Sequence, residues 1–479
     1  MGVKLQQIDE YRWRIPREGK MRVPGLVFAS AAMLADLHQD KCLEQVANVA
    51  HLPGILGHSI AMADAHWGYG FPIGGVAAFD EHEGVVSPGG VGYDINCGVR
   101  LVRTNLQRKD IANRLEELSL AIHQAVPSGV GSQSHRKLTE RELAQVMVQG
   151  AAWAVANEYG WASDLEVVEA GGSMGGADPA SVSERAKERG RPQLGSLGSG
   201  NHFCEIGWVA EVYDPVAAAC MRLDQGQVTI LIHSGSRGFG HQICDDFLRT
   251  MLKASGSYGF ELPDRQLCAA PLGSPEAKQY FAAMACAANF AFANRQMMTH
   301  FVRQAFERFF GSSDVELGLG LVYDVCHNLA TWETHEFEGK QRRVCVHRKG
   351  ATRAFGPGHP DVPARYRNLG QPVIVPGDMG RCSFVLVGRE QAMRESWGSS
   401  CHGAGRRLSR KAALQAARGR SVFKELQANG IWVRTDSQLT LAEELPEAYK
   451  DVTQVVDVIH GAGLATRVAR LEPLVVVKG

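Results

Sequence analysis

Segment 89–100, which reads GGVGYDINCGVR, contains two anionic side chains, Asp94 and Cys97, three residues apart in a glycine-rich bend. Carboxylate and thiolate are both metal-binding donors, and the glycines allow the backbone to turn both side chains inward. The spacing therefore predicts a metal site at the start of a strand. The alternative, for such a pair taken alone, is a structural turn that binds no ion.

Three later segments each carry a histidine at the end of a strand or in a glycine-rich loop. They are GSLGSGNHFCEI with His202, HSGSRGFGH with His233, and CHNLA with His327. Taken singly, each is more simply explained as a hydrogen-bonded structural histidine. Together with a thiolate and a carboxylate, however, neutral imidazoles form a good donor set for a divalent transition metal.

The full set of candidate ligands is larger than one tetrahedral site uses. Two metals that share the sulfur of Cys97 would accommodate every donor in it. Paired metals orient oxygens and offset charge during displacement at phosphorus, which is the chemistry we expect here. The candidate metal ligands are Asp94, Cys97, His202, His233 and His327.

A further histidine, His402, has different surroundings in the segment SCHGAGR. Small neighbours allow a large or phosphorylated group to approach it, and no carboxylate stands beside it in the sequence. Such an imidazole next to a polyphosphate site can act as a nucleophile and form a phosphoramidate.

Glycine-rich segments 195–201 and 376–380 could supply backbone amides to phosphates, although either could equally be a tight turn. Cations for the same phosphates are expected from basic side chains elsewhere in the chain. The candidates are Arg237, Lys349, Arg406 and Arg410.

Composition limits the classes of function. The formal net charge of the 479 residues is zero, so no global field draws the protein to nucleic acid or membrane. Local basic clusters at 341–349 and 406–411 would have to provide any polyanion site. The 11 cysteines are scattered and odd in number, which favours free thiols in a reducing compartment. Without a signal core or an apolar run of about 20 residues, we expect a soluble, cytoplasmic protein without a membrane partner.

Several elements are legible. Ile111, Leu115, Leu118 and Ile122 have helical spacing, Thr139 begins a capping box, and a long Ala/Phe-rich helix is predicted from 274–275 towards 310. Strands are predicted at 228–232, 319–325, 343–347, 373–375 and 475–477. Segment 171–191, rich in Gly, Ser, Ala and charge, is predicted to be a mobile surface excursion.

The fold class predicted from this mixture is α+β (mixed α/β), with mixed sheets flanked by helices and an order too irregular for a doubly wound sheet. If the candidate ligands converge, the chain must form one interwoven domain over residues 1–479, with the metal site at its centre.

Six ordered motifs carry a more specific signal: GGVGYDINCGVR, GSLGSGNHFCEI, HSGSRGFGH, CHNLA, VPGDMGRCSFVL and CHGAGR. In this order they resemble the RtcB family of RNA-splicing ligases. The resemblance extends from DAHWGYG at 64–70 to the terminal Lys478 and Gly479.

The resemblance implies a GTP- and manganese-dependent ligase that joins an RNA 2′,3′-cyclic phosphate or 3′-phosphate to a 5′-hydroxyl. It implies one Mn²⁺ on Asp94, Cys97 and His202, and a second on Cys97, His233 and His327. It also implies that His402 becomes guanylylated by GTP, passes GMP to the RNA 3′-phosphate, and that the 5′-hydroxyl then displaces GMP. Manganese comes from the resemblance, because Cys and His donors alone would suggest zinc.

The resemblance assigns the guanylate to residues from several segments, with Glu205 and Lys478 as readers of the guanine edge. Catalytic roles are expected for His402, Arg237, Lys349 and Arg410. The expected nucleotide-binding residues are Asn201, His202, Phe203, Cys204, Glu205, His327, Asn328, Pro376, Gly377, Asp378, Met379, Ser383, His402, Gly403, Ala404, Gly405, Tyr449 and Lys478.

At Asp378 the resemblance leads us to expect a small hydroxyl residue. A carboxylate there would repel phosphates unless it faces a metal, an arginine or the ribose.

The expected partners are RNA ends from tRNA halves or damaged RNA, and the need for an archease-like activator is left open. Two other classes compete with the ligase. One is a dinuclear metal-dependent phosphatase or cyclic phosphodiesterase that uses the same metals without His402 chemistry. The other is a non-catalytic RNA-binding subunit, which would not need five metal donors.

Overall fold

The computed structural model of the chain describes residues 2–129 and 131–479. Its strands alternate irregularly with helices along the chain. The strands are β1 (Gln6–Gln7), β2 (Arg12–Ile15), β3 (Gly25–Phe28), β4 (Ile55–His66), β5 (Ile73–Asp80), β6 (Val85–Val86), β7 (Gly98–Gln107), β8 (Phe203–Val212), β9 (Gln227–Ser234), β10 (Ala270–Pro271), β11 (Leu321–Cys326), β12 (Asn328–Phe337), β13 (Lys340–Lys349), β14 (Ala351–Arg353), β15 (Pro372–Val375), β16 (Ser383–Gly388), β17 (Ser399–Cys401), β18 (Trp432–Thr435) and β19 (Ala465–Lys478).

The α-helices lie between these strands and cover the sheets. They are α1 (Leu34–Asp40), α2 (Cys42–Val49), α3 (Arg108–Ile111), α4 (Leu115–Ala125), α5 (Glu140–Gln149), α6 (Ala151–Ala156), α7 (Glu184–Gly190), α8 (Pro215–Met221), α9 (Arg237–Ser257), α10 (Pro275–Phe310), α11 (Glu390–Glu395), α12 (Arg410–Ala416), α13 (Val422–Ala428), α14 (Gln438–Glu443) and α15 (Val452–Gly461).

Two mixed sheets dominate the described part of the chain. The first has the order β1-β2-β3-β4-β5-β13-β12, and the second has the order β11-β7-β9-β8-β19-β16-β15, with β18 added beside β19. Most neighbours are antiparallel, but β3 pairs with β4 and β18 with β19 in parallel. The predicted α+β class is confirmed.

The long helix α10 is the main support of the second sheet. Ser274 caps its start by accepting a hydrogen bond from Ala277 N, and Pro275 occupies its first turn. It packs against α5, α6, α9 and β9, and its middle turns are entirely buried. A helix that is buried on all sides can be stable only if its polar side chains find partners, and those partners prove to lie around the candidate site.

The sequence predictions of elements are confirmed with shifted boundaries. The predicted strands fall within or overlap β9, β11, β13, β15 and β19, and Thr139 forms a capping box with Glu142. The single helix predicted over 111–122 is wrong, because the chain breaks between α3 and α4. Segment 171–191 is not a plain surface excursion, since it contains α7 and buries Val182 and Ala186.

Candidate metal and nucleotide site

The predicted ligands lie at one end of four neighbouring strands of the second sheet. Asp94 and Cys97 precede β7, His202 precedes β8, His233 lies near the end of β9, and His327 follows β11. These strands are adjacent in the order β11-β7-β9-β8. His233 is paired with Val99 on one side and with Phe203 on the other. Antiparallel pairing therefore brings together, at the ends of these four strands, segments that are spread over more than 200 residues of the chain.

The donor atoms converge closely. Cys97 Sγ lies 3.1 Å from His233 Nε2 and 3.4 Å from His202 Nε2. These three buried donors all lie within 4.8 Å of one another. His327 extends the cluster, with its Nε2 3.2 Å from His233 Nε2, and Asp94 closes it with Oδ2 2.8 Å from His202 Nε2.

The hydrogen bonds around His202 favour a cation between these donors. His202 Nδ1 lies 3.0 Å from the carbonyl oxygen of Leu197, so this nitrogen must carry the proton. In the neutral ring, Nε2 then presents a lone pair to the carboxylate of Asp94, and two acceptors repel each other unless a proton or a metal lies between them. Asp94 is held in this position by Ser236 N, and a Cβ at Gly235 would collide with its oxygens.

Burial shifts the pKa values of the other donors in directions that also favour a bound cation. Desolvation, and then neighbouring imidazoles, lowers the pKa of His233 and of His327 well below the usual value, which keeps both rings neutral. Their Nδ1 atoms are buried without a hydrogen-bond partner. Burial, followed by Asp94, raises the pKa of the Cys97 thiol, so a thiolate here requires a bound cation. The donor set therefore fits a divalent transition metal, and these residues alone do not distinguish manganese from zinc.

His402 lies next to this cluster and is held by an acid distant in the sequence. Asp64 Oδ2 lies 2.5 Å from His402 Nδ1 and also accepts the backbone N–H groups of His402, at 3.0 Å, and Gly403, at 3.3 Å. Asp64 is fully buried in β4. Burial opposes its ionisation, but the His402 charge and hydrogen bonds outweigh burial and lower the pKa of the carboxyl. In the neutral form of the ring, the proton lies on Nδ1 beside Asp64 and the lone pair lies on Nε2.

The rings of His327 and His402 are 5.0 Å apart, so the metal ligands and the held imidazole share one site. A pocket opens over His402 between the ends of the two large sheets. Its lining residues are His66, Ile73, Asn201, Phe203, Glu205, His233, Pro376, Gly377, Asp378, Met379, His402, Gly403, Ala404, Gly405, Arg406, Arg410, Glu444, Tyr449, Val476 and Lys478.

Comparison with known proteins gives a consistent answer over this whole chain. The family model described as tRNA-splicing ligase RtcB matches residues 45–479. The chain belongs to the RtcB family. It is 55% identical over 478 residues to the tRNA-splicing ligase RtcB of Thermococcus kodakarensis, covering 100% of this chain and 99% of the relative. It is 52% identical to those of Archaeoglobus fulgidus and Methanococcus maripaludis, covering at least 99% of each chain in both comparisons.

This RtcB-family chain lines the pocket with several buried charged groups. Burial, and then Asp378, raises the pKa of Glu205 to about 8 despite the nearby Lys478. Burial likewise raises the pKa of Asp378 to about 6. Lys478 Nζ lies 3.8 Å from Glu444 Oε2, and burial lowers its pKa. A polar nucleobase edge could replace the water that these groups lose on burial.

Asp378, the residue that departs from our expectation, does face an arginine. Its Oδ1 accepts the N–H of Gly380 at 2.9 Å, and its Oδ2 lies 3.5 Å from Arg381 Nη1. The arginine and the backbone N–H offset part of the cost of burying this carboxylate, although burial prevails and raises its pKa.

Several predicted nucleotide residues lie outside the pocket lining. Cys204 is fully buried in the core, and burial raises the pKa of its thiol to about 12. Ser383 lies behind the pocket wall, where its Oγ accepts the N–H of Gly377 at 3.1 Å. Asn328 donates to Asp94 O at 2.9 Å and so supports a ligand turn. His202 and His327 lie among the candidate metal ligands.

Of the three basic residues predicted to be catalytic, only Arg410 lines the pocket. Arg410 lines the pocket with a largely exposed side chain. Arg237 is half-buried with its Nε donating to Ser196 Oγ at 3.3 Å, and the removal of its guanidinium from water lowers its pKa to about 10 despite the charge of Asp94. Lys349 does not reach the pocket, because its Nζ donates to the carbonyl oxygens of Tyr69 and Phe71. Burial lowers the pKa of Lys349 to about 7.

Sequence reasoning missed Asp64, His66 and Glu444 as site residues. The first two belong to the DAHWGYG motif at 64–70, which could have indicated them. Glu444 contacts Tyr449 and Arg406 at the pocket, but nothing in its local sequence marks it. Within residues 2–129 and 131–479, no helix has the length and apolar character needed to cross a bilayer.

Proposed function

We propose that this protein is an RNA ligase of tRNA splicing or RNA repair, built as one ligase domain over residues 1–479. It joins a 2′,3′-cyclic phosphate or 3′-phosphate end to a 5′-hydroxyl end at the expense of GTP. The observation that carries the proposal is the His402 imidazole, held by buried Asp64 in a pocket 5.0 Å from a ligand histidine. The name shared by its relatives, tRNA-splicing ligase RtcB, supports the same reaction class.

Two Mn²⁺ ions are the proposed metals. Asp94, Cys97 and His202 would hold one, and Cys97, His233 and His327 would hold the other. When bound, the metals supply positive charge that offsets the phosphates brought together in the site. The cluster of Cys97, His202 and His233 shows how closely such donors lie in the structure.

His402 carries the first proposed step. Its Nε2 lone pair attacks the α-phosphorus of GTP, a P–N bond forms, and the bond to the pyrophosphate leaving group breaks. Positive charge develops on the imidazole during the attack, and Asp64 stabilises it through Nδ1–H. This arrangement resembles the orienting role of the acid in a catalytic triad, in which a buried carboxylate fixes the tautomer and offsets the charge.

The RNA completes the proposed sequence. A cyclic phosphate is first hydrolysed to the 3′-phosphate, whose oxygen then takes GMP from His402 with cleavage of the P–N bond. The 5′-hydroxyl attacks the activated 3′-phosphorus, and GMP leaves. We propose that Arg410 and Arg406 offset phosphate charge at the pocket, and that Arg237 and Lys349 support the adjoining loops.

Guanine recognition is assigned to the buried polar end of the pocket. The N1–H and N2–H groups of guanine are donors, so a carboxylate such as Glu205 is a suitable acceptor for them. Lys478 is a donor for the O6 acceptor of the same base. Asn201, Phe203, Ala404, Gly405 and Tyr449 would enclose the rest of the nucleotide.

The dinuclear hydrolase would need the metal cluster but not a carboxylate-held imidazole beside it. Incubation with α-labelled GTP and Mn²⁺ separates the two reactions. The ligase predicts an acid-labile, alkali-stable label on the wild-type protein, and none on His402→Ala with unchanged metal content. Release of phosphate from RNA ends without any protein label would favour the hydrolase instead.

A further inference from the structure

The buried guanidinium of Arg295, in the middle of α10, contacts each of the three segments that carry Cys97, His233 and His327. Its Nη1 donates to Asn96 O at 2.7 Å and to Ser234 O at 3.0 Å. Its Nη2 lies 3.9 Å from Cys326 Sγ. Asn96, Ser234 and Cys326 are the residues directly adjacent in sequence to Cys97, His233 and His327. One side chain thus contacts the residues beside three candidate ligands, two through backbone oxygens and one through a side-chain sulfur.

Asn96 needs this support because its backbone is strained. Its φ of +53° lies in the left-handed region, which is uncommon for residues other than glycine. Arg295 Nη2 donates to Asn96 Oδ1 at 3.2 Å, and Asn96 Nδ2 donates to Ala288 O, two turns earlier on α10, at 2.7 Å. Strain of this kind persists only where the surroundings fix the conformation. This turn sets the separation between Asp94 and Cys97.

A two-point contact with the carboxylate of Asp324 fixes the orientation of the Arg295 guanidinium. Nε donates to Asp324 Oδ2 at 2.9 Å, and Nη2 donates to Oδ1 of the same carboxylate, also at 2.9 Å. Arg100 shares this carboxylate at 2.7 Å, and all three side chains are fully buried. A planar guanidinium can satisfy this fork and the two carbonyl oxygens together, whereas an ammonium group cannot.

We propose that Arg295 is a positioning residue for the metal site, which holds the turn before β7 and the ends of β9 and β11 so that their donors converge. The inference rests on the proposed metal binding. It assigns Arg295 no contact with metal, nucleotide or RNA, only with the segments that carry the candidate ligands. Groups that orient ligands in this way commonly change metal affinity 10–100-fold when replaced.

Arg303 provides a matched control on the same helix. It is buried to a similar degree, lies about 12 Å further along α10, and also holds a carboxylate, that of Asp164. Its Nε donates to Leu319 O, before β11, and its guanidinium lies 3.8 Å from the centre of the Trp161 ring, so neither contact is with a segment that carries a candidate ligand. If α10 arginines act only through general stability, replacing either one should have the same effect on metal binding.

The test compares R295K and R303K by Co²⁺ titration of the metal-free, reduced protein, with the absorption spectrum of the bound Co²⁺ as a reporter of ligand geometry. We expect R295K to bind Co²⁺ at least about 10-fold more weakly, with an altered spectrum, at temperatures where circular dichroism shows it folded. R303K should lower the thermal midpoint but keep the wild-type affinity and spectrum. Wild-type binding by R295K, or equal weakening in R303K, would overturn the inference.

Asn96→Gly is a second, milder variant that tests the same positioning role if R295K does not fold. Glycine adopts a positive φ without strain, so this variant removes only the side-chain bonds to Arg295 and Ala288. We expect weaker Co²⁺ binding than wild type, and unchanged affinity would count against the positioning role. A wild-type protein that binds no Co²⁺ would instead refute the metal proposal itself, which separates the two failures.

Discussion

Asp64→Asn tests the contribution of the buried carboxylate to His402 chemistry. The amide is nearly isosteric, and its oxygen can still accept the three hydrogen bonds that Asp64 Oδ2 now accepts. The tautomer of His402 should therefore survive, and only the negative charge is lost. Two unit charges about 4 Å apart interact by about 4 kcal/mol at an effective dielectric constant near 20. Charge that develops on His402 in the transition state thus loses stabilisation worth about 10³-fold in rate.

The assay is single-turnover transfer of label from α-labelled GTP to the protein in the presence of Mn²⁺. We expect the rate constant to fall about 10²–10³-fold while metal content and GMP affinity stay unchanged. Asp40→Asn is the control, because Lys450 senses the charges of both acids and only Asp64 contacts His402. A D64N rate within about 10-fold of wild type would refute the reasoning, since the carboxylate charge would then be unused.

Three further predictions test other parts of the site. Cys97→Ala should lose both metals, because the thiolate is the proposed shared donor, and elemental analysis that still finds two tightly bound ions would contradict the bridge. Guanosine binding at pH 7 should release most of a proton, because the free Glu205 carboxyl, with a pKa of about 8, is largely protonated and guanine favours its ionised form. Calorimetry in buffers of different ionisation enthalpy should show this release in wild type but not in Glu205→Gln, and equal proton release in both would exclude Glu205 as its source. Arg410→Ala should weaken RNA binding most at low salt and reduce the slope of log K against log salt by about 1, and an unchanged slope would argue against a phosphate contact.

The convergence of the candidate ligands could be predicted from sequence because each lies near a strand end with a distinctive local pattern. Cys97 and His233 each adjoin a glycine-rich turn, and the structure places their Sγ and Nε2 atoms 3.1 Å apart. Asp64 could not be predicted to hold His402 from local pattern alone. It lies near the end of β4, 338 residues away, and reaches His402 only because β4 and β17 approach each other.

The basic clusters show a second limit of prediction from local sequence, which is the direction in which a side chain points. Lys349 was predicted from its neighbours to serve phosphates, but side chains alternate across a strand, and position 349 of β13 faces the buried carbonyl groups of residues 69 and 71. The role of α10 was also hidden. Its sequence indicates only an apolar scaffold, whereas Asn294 and Arg295 bind the loops that carry the ligands. Such contacts depend on tertiary geometry that no spacing within the helix reveals.

Peptide mapping of the protein after reaction with GTP and Mn²⁺ tests the central claim most directly. We predict a single GMP adduct, on the imidazole of His402, that disappears when RNA with a 3′-phosphate end is added together with RNA with a 5′-hydroxyl end and the ligated product forms. Ligation of these ends by the His402→Ala variant, or an adduct on another residue, would contradict the account.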